Sequence, residues 1–326
     1  MRIVRGFAFC MLLSVLLTQA KSEDTVTLSY LGTAGWALTD GKTVVLIDPY
    51  LTRFKMNTPN DSVLPSDSRP LVTSSDILHS DTTAIDAHIH RADFIVVTHS
   101  HGDHLFDVPY IARKTGALVI GTETTANFAR ANDVPNSQIL TVKGGEDLAL
   151  GDISIRVVPS LHGILRHAPN LPQSQGAAPP PRTFSPDAKP PFRGDQLPGE
   201  GGTLAYLIRI GGRQILAFGS MNYIEREVEG LRPDAALIGA MPERREIDRY
   251  TERLMRALGN PPLVLPTHWD RFNVPYDVSQ QPAIDRLQSF IAEVKSASPT
   301  TRVIVPKYFE PIPIRKRGEP ESNREP

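Results

Sequence analysis

Cysteine is almost missing from this chain. Among 326 residues only Cys10 carries a thiol, and it lies inside an apolar run near the amino terminus. Once that run is removed, the mature protein has no disulfide and no thiolate to offer a metal. Its stability must then come from the core or from a bound ion. Long apolar stretches are also scarce. The run from Gly6 to Leu17 is short for a bilayer span, which counts against a retained anchor. Excess charge is lacking too: 35 basic and 36 acidic residues leave a formal charge of −1. Nothing in that balance calls for nucleic acid or an anionic membrane surface as a partner.

What the amino terminus does have is an order. Arg2 and Arg5 precede the apolar run, and Thr18-Gln19-Ala20 and the charged Lys21-Ser22-Glu23-Asp24 follow it. Basic, apolar, small-residue is the pattern of a secretory signal, cleaved here after Ala20. It predicts a signal peptide over 1–20 and an exported protein, periplasmic or secreted, without a stable membrane anchor. The whole chain is 40% hydrophobic, enough for a globular core, and its length suits one large domain or two small ones.

The chain is organised around Phe94-Ile95-Val96-Val97-Thr98-His99-Ser100-His101-Gly102-Asp103-His104. Its apolar, β-branched start predicts a buried strand, and the polar residues begin where the strand stops. With 9 His and 36 carboxylates in the chain, an H-x-H-x-[DE]-H string arises by chance less than about once in a thousand sequences. Imidazole and carboxylate are ligands of zinc and similar borderline metals, and a loop leaving a strand can turn several of them toward one point.

Further strands are predicted over 26–31 and 43–47, joined through the small-residue turn Gly32 to Trp36 as a hairpin. Asp48 closes the second of these. It reads either as an acceptor for a ligand imidazole or as a plain turn aspartate before proline. Residues 51–91 lack periodicity and read as a long loop of the lid or binding type. His79, His88 and His90 within it read as surface residues, because a lone His-x-His pair is a weak motif. Helices are expected over 105–114, 123–131, 246–258 and 282–294, and strands over 118–120, 139–142, 153–158, 203–210, 214–218, 235–239, 263–266 and 302–305. The strand over 153–158 delivers His162, the one over 214–218 Ser220, and the one over 263–266 His268. A lone His at a strand end is usually structural, but a cluster still wanting a third nitrogen makes His162 a ligand candidate. Residues 164–202, with Pro179-Pro180-Pro181 and Pro190-Pro191, read as an insertion beside the site rather than an interdomain linker, since strands resume at once. His167 inside it is not expected to be a ligand. The expected organisation is a domain over 25–310 and a disordered tail over 311–326. Alternating strands and helices with polar residues at one edge describe a layered α/β domain.

Taken in order, Leu31-Gly32, Asp48, His99-Ser100-His101-Gly102-Asp103-His104, His162 and His268 resemble the metallo-β-lactamase superfamily. The resemblance implies the αββα sandwich, two mixed sheets face to face with helices outside, and one or two metal ions, usually zinc, at the sheet edge. Matched by position, His99, His101 and His162 would hold one ion, and Asp103, His104 and His268 the other. Asp103 would also orient the attacking water, and Asp48 would support the ligands from behind. The chain departs from the pattern at Ser220, where most hydrolases of this superfamily have a bridging aspartate; a serine hydroxyl is a poor zinc ligand. The implied activity is hydrolysis of an ester, lactone, phosphodiester or β-lactam-type bond in a small-molecule substrate. Trp36, Tyr50, Tyr223, Trp269 and Arg271, all near strand ends, are the candidate substrate contacts. A metal-binding member with a decayed, non-hydrolytic site is the alternative. Iron-dependent oxygenase chemistry ranks last, because Ser220 removes the carboxylate that iron would want.

Overall fold

The computed structural model of the chain describes residues 25–58, 60–164 and 184–319. The expected signal peptide over 1–20, His167 and the end of the expected tail, 320–326, lie outside the described residues.

Among the described residues, short apolar runs bounded by turns form fourteen strands: β1 (Thr27–Gly32), β2 (Gly35–Thr39), β3 (Val44–Ile47), β4 (Phe94–Val96), β5 (Leu118–Gly121), β6 (Ile139–Thr141), β7 (Asp147–Leu150), β8 (Ile153–Pro159), β9 (Leu204–Ile210), β10 (Arg213–Phe218), β11 (Ala235–Gly239), β12 (Leu263–Thr267), β13 (Arg302–Val303) and β14 (Pro311–Pro313). They build two seven-stranded sheets, one ordered β14-β1-β2-β3-β4-β5-β6 and the other running from β7 to β13 in sequence. In each, three antiparallel pairings are followed by three parallel ones.

A parallel pair needs a crossover, and helices supply it. In the first half α1 (Thr82–His88) links β3 to β4, α2 (Gly102–Leu105) and α3 (Val108–Thr115) link β4 to β5, and α4 (Glu123–Ala131) links β5 to β6. In the second, α5 (Glu225–Val228), α6 (Tyr250–Ala257) and α7 (Gln281–Ala297) do the same for β10 to β13.

Side-chain alternation sorts the first sheet into two faces. Val45, Ile47, Val96 and Ile120 point into the core shared with the second sheet. Leu46, Ile95, Val97 and Val119 point the other way, onto Ile85, Leu105, Ile111 and Phe128 of the helices. The second sheet packs Leu254, Leu287, Phe290 and Val294 of α6 and α7 behind it. Two mixed sheets flanked by helices is the αββα sandwich that the family resemblance implies.

Six elements differ from the sequence reading; α2 and α5 are extra single-turn helices that it did not give. β2 begins inside the expected turn at Gly35 and lies between the two strands expected to form a hairpin, so that 27–32 pairs with β2 and β2 with 44–47. α1 lies inside the expected structureless loop; Asp81 caps it by accepting from Ala84 N at 2.9 Å. β7 adds an edge strand beside β8. The expected tail is ordered through residue 319, since β14 pairs Ile312 with Leu28 and Ile314 is buried. Proline is tolerated there because β14 is an edge strand with few ladder bonds to donate. Described residues of the insertion dock on the 51–91 loop, with Leu78 N donating to Phe192 O at 3.0 Å. Phe184 and Phe192 meet Phe128 at 5.2 and 5.7 Å between ring centroids.

Candidate metal centre

At the end of β4 the chain leaves the sheet and turns at once into α2, with His101 at its N-cap position and His104 N donating to His101 O at 3.0 Å. That single turn sends Asp103 and His104 one way and His99 and His101 the other. His162 arrives from the end of β8 and His268 from the end of β12. Two groups result. One ligand atom from each of His99, His101 and His162 lies within 4.8 Å of the others, and the same holds for Asp103, His104 and His268.

In the first group the three ring centroids are 4.8 Å apart pairwise, with planes crossed by 74° to 83°. In the second, Asp103 Oδ2 lies 3.1 Å from His268 Nε2 and 3.7 Å from His104 Nε2. The groups touch through His99 and His104, 3.9 Å apart.

Asp48 stands behind both. It is fully buried in a left-handed turn, φ 42°. Its Oδ1 accepts from Thr98 N at 2.7 Å, and its Oδ2 from Thr98 Oγ1 at 2.5 Å and from His104 Nδ1 at 2.8 Å. With its proton committed to Asp48, the Thr98 hydroxyl is left to accept from His99 Nδ1, 3.2 Å away. One carboxylate therefore fixes the tautomer of an imidazole in each group and turns their Nε2 atoms toward the site. Of the two readings that the sequence left open for Asp48, the structure selects the imidazole acceptor. Gly219, just after β10, makes room for this relay, since a Cβ there would lie 1.8 Å from Thr98 Oγ1 and 2.7 Å from Asp48 Oδ2.

Burial pulls the His99 imidazole well below its ordinary value, helped by His104 and the other neighbouring rings, and it pulls His101 down to about 4. His162 shifts down as well, chiefly by burial. For His104 burial is outweighed by Asp103 and Asp48, which raise it. Burial also works against the Asp103 carboxylate, yet His104 and the His268 contact hold it well below the usual carboxylate range. A first group of neutral imidazoles with open lone pairs, beside a second group holding a firm carboxylate, is a donor set that fits divalent borderline metals.

Ser220 is buried, and its Oγ accepts from Gly163 N at 2.9 Å. Asn222 Nδ2 donates to His162 O at 3.1 Å. The residues after β10 thus fasten the loop that carries His162. The five candidate substrate contacts belong to the frame instead. Trp36 donates to Thr267 Oγ1, the Tyr50 hydroxyl accepts from Phe54 N, and Tyr223 donates to Tyr250 O. Arg271 pairs with Asp61 at 3.1 Å, and Trp269 is 7% exposed. Strand-end position alone misled here, because the sandwich buries those ends beneath its loops. His88 stacks on Phe309 at 3.6 Å, away from either group.

Thr98 and Gly219 were not singled out from sequence; their partners are far apart in the chain and only the fold brings them together. Phe272, ring to ring with His268 at 5.4 Å, and Leu197, whose Cδ1 a Cβ at Gly102 would meet at 3.0 Å, border the centre.

The model of a family described as the beta-lactamase superfamily domain matches residues 27–268, which is most of the chain and every ligand candidate. The chain belongs to that family. A "UPF0173 metal-dependent hydrolase" from Heliobacterium modesticaldum is 30% identical over 135 residues, 41% of this chain and 44% of that protein. Another from Archaeoglobus fulgidus is 30% identical over 135 residues, 41% of this chain and 46% of its own length. The matched stretch thus spans less than half of either relative. Among solved structures, Igni18, a metallo hydrolase from Ignicoccus hospitalis, superposes with a TM-score of 0.53 and 17% identity, covering 90% of this chain and 100% of that one. At that identity the likeness concerns the fold. The superfamily sandwich is thus reached independently from topology and from sequence.

Proposed function

We propose that this chain is a metal-dependent hydrolase that holds two ions, zinc the favoured metal, and cleaves an ester, lactone, phosphodiester or β-lactam-type bond in a small molecule. The observation that carries the reading is the convergence of two three-residue groups, each with its ligand atoms within 4.8 Å, on a shared buried carboxylate. His99, His101 and His162 would hold one ion; Asp103, His104 and His268 the other. Divalent ions bound there supply Lewis acidity and bring the pKa of water toward about 7.

The chain's own groups do the rest. Asp103 stays ionised because its neighbours hold its carboxyl low, so it could ligate the second ion and orient the attacking water. Asp48 keeps His99 and His104 in the tautomers that present Nε2. Phe272 and Leu197 narrow the approach and limit solvent around the reacting bond. The basic, apolar and small-residue order of residues 1–24 supports export, and a mature protein beginning at Lys21 is the expected product.

Ser220 favours a second reading. A hydroxyl engaged with Gly163 N contributes no bridging anion, as in a site that keeps metal but has lost turnover. Metal quantification on the purified full chain, paired with a screen of phosphodiester, lactone, thioester and β-lactam substrates, separates the two. About two ions per chain with turnover on one class supports the hydrolase, and Asp103→Ala then loses both while the circular dichroism is unchanged. One ion or none, with no turnover across the panel, supports the decayed site.

A further inference from the structure

His268 is held differently from three of the imidazoles around it. The Nδ1 atoms of His99, His104 and His162 have partners in Thr98, Asp48 and the Gly163 carbonyl. His268 Nδ1 is buried with no hydrogen-bond partner among the described residues. No hydrogen bond at Nδ1 sets that ring from behind; apart from the Asp103 contact at Nε2, its direction is left to the backbone. The backbone is in the left-handed region, φ 52°, which costs a residue with a Cβ on the order of 1 kcal/mol and persists only where the surroundings impose it.

The surroundings are a buried polar knot two residues further on. His268 N donates to Thr33 O at 2.5 Å, and Thr33 N donates to Asp270 Oδ1 at 2.9 Å. The other carboxylate oxygen of Asp270 accepts from Arg53 Nη1 at 2.9 Å and from Tyr308 Oη at 2.7 Å. Arg53 also donates from Nε to Val274 O at 2.7 Å and from Nη2 to Arg271 O at 2.5 Å. Its guanidinium carbon lies 4.6 Å and 5.3 Å from the ring centroids of Tyr276 and Tyr308. Gly32 makes the seat, because a Cβ there would fall 2.4 Å from Arg53 Nη1. The guanidinium and carboxylate are 1% and 4% exposed as residues. One side chain thus bridges three points on the loop that carries His268.

We propose that Arg53, acting through Asp270, is the positioning residue that aims His268 at the second metal group. It touches no ligand, and the planar fork of arginine is what reaches both backbone carbonyls and the carboxylate together; lysine has one point of charge and cannot. The role is confined to one group: the hydrogen bonds given above for His99 and His162 do not run through Arg53 or Asp270.

The proposal rests on the two-ion reading, and Zn2+ titration of the metal-free full chain against a chromophoric chelator tests both separately. Wild type should show two binding steps. Arg53→Lys and Asp270→Asn should weaken the second step by about tenfold or more and leave the first within about twofold. Should both variants fail to fold, Tyr308→Phe, which removes one hydrogen bond to Asp270, carries the test with an expected loss of about threefold in the second step alone. Equal weakening of both steps would mean general loosening of the fold, and an unchanged second step in folded variants would mean that His268 needs no such brace; either overturns the proposal. A wild-type protein with no second step instead removes the two-ion reading, and this proposal with it.

Discussion

The two halves of the molecule share one plan and use it differently. Each sheet runs through three antiparallel pairs and then three parallel ones, so β3 in one half corresponds to β10 in the other, and β4 to β11. In the first half β3 ends at Asp48 and β4 opens into a loop with four of the six ligand candidates. In the second, β10 is followed by Gly219-Ser220, and β11 ends at Gly239, so crowded that a Cβ would lie 2.7 Å from Ser220 O. Its ligands come singly, from the ends of β8 and β12. One half concentrates donors and the carboxylate that orients them; the other lends an imidazole from each of two distant strands and braces each with backbone contacts. The contrast separates local from assembled chemistry. A contiguous loop keeps its donors near one another in any conformation, whereas His162 and His268 reach the site only when both sheets are folded.

Three changes would break or sharpen that comparison. The largest effect is expected from Gly219→Ala, which drives a methyl from the second half into the Thr98–Asp48 relay of the first. Thermal denaturation should show a loss of about 3 kcal/mol, and metal binding in both groups should suffer. A stable variant with normal metal affinity would mean that the halves are not interlocked there. Next, Asp48→Asn and Ser220→Ala compare the corresponding strand ends. Asp48→Asn should reduce metal affinity in both groups by about 10- to 100-fold. Ser220→Ala leaves Gly163 N unpaired, costs about 1–2 kcal/mol of stability, and reaches metal binding only through His162. Equal effects on metal affinity would erase the asymmetry.

The smallest effect is a difference in pH response between the two groups of the metal-free protein. His101 takes up a proton only near about 4, while the unfolded chain does so near about 6.5. The unfolded state thus binds more protons, and stability falls as pH drops between those values. His104, raised by Asp103 and Asp48, has the opposite sign: its contribution is full below about 6.5 and fades as pH rises through its folded value. Imidazole titration by NMR should resolve the two directions, and identical midpoints would deny the distinction.

The same contrast decides what could be read in the sequence. β4 and the turn after it were legible because strand, ligands and helix start lie within consecutive residues. Helix α4 at 123–131 and strand β11 at 235–239 were legible from their local patterns. β2 was hidden behind small residues, α1 inside a Ser, Thr and Asp-rich stretch, and β14 between prolines; each is fixed by neighbours, and local preference yields to them. Ligand candidates at 162 and 268 were found by order and resemblance. Thr98, Gly219 and the Arg53–Asp270 pair were not found, because each matters through a residue on another loop. Trp36, Tyr50 and Tyr223 were misjudged for the related reason that burial depends on what lies above a strand end.

The pairing of β14 with β1 has a temporal consequence. β1, the first strand among the described residues, is the margin of its sheet until β14, the last of them, pairs with it. Until then its backbone donors and acceptors on that side are open to other chains. Contacts between such distant parts of the polypeptide form late and slow the search for the native state. A stop codon introduced before residue 311 would leave β1, without the prolines of β14, as the margin of the sheet.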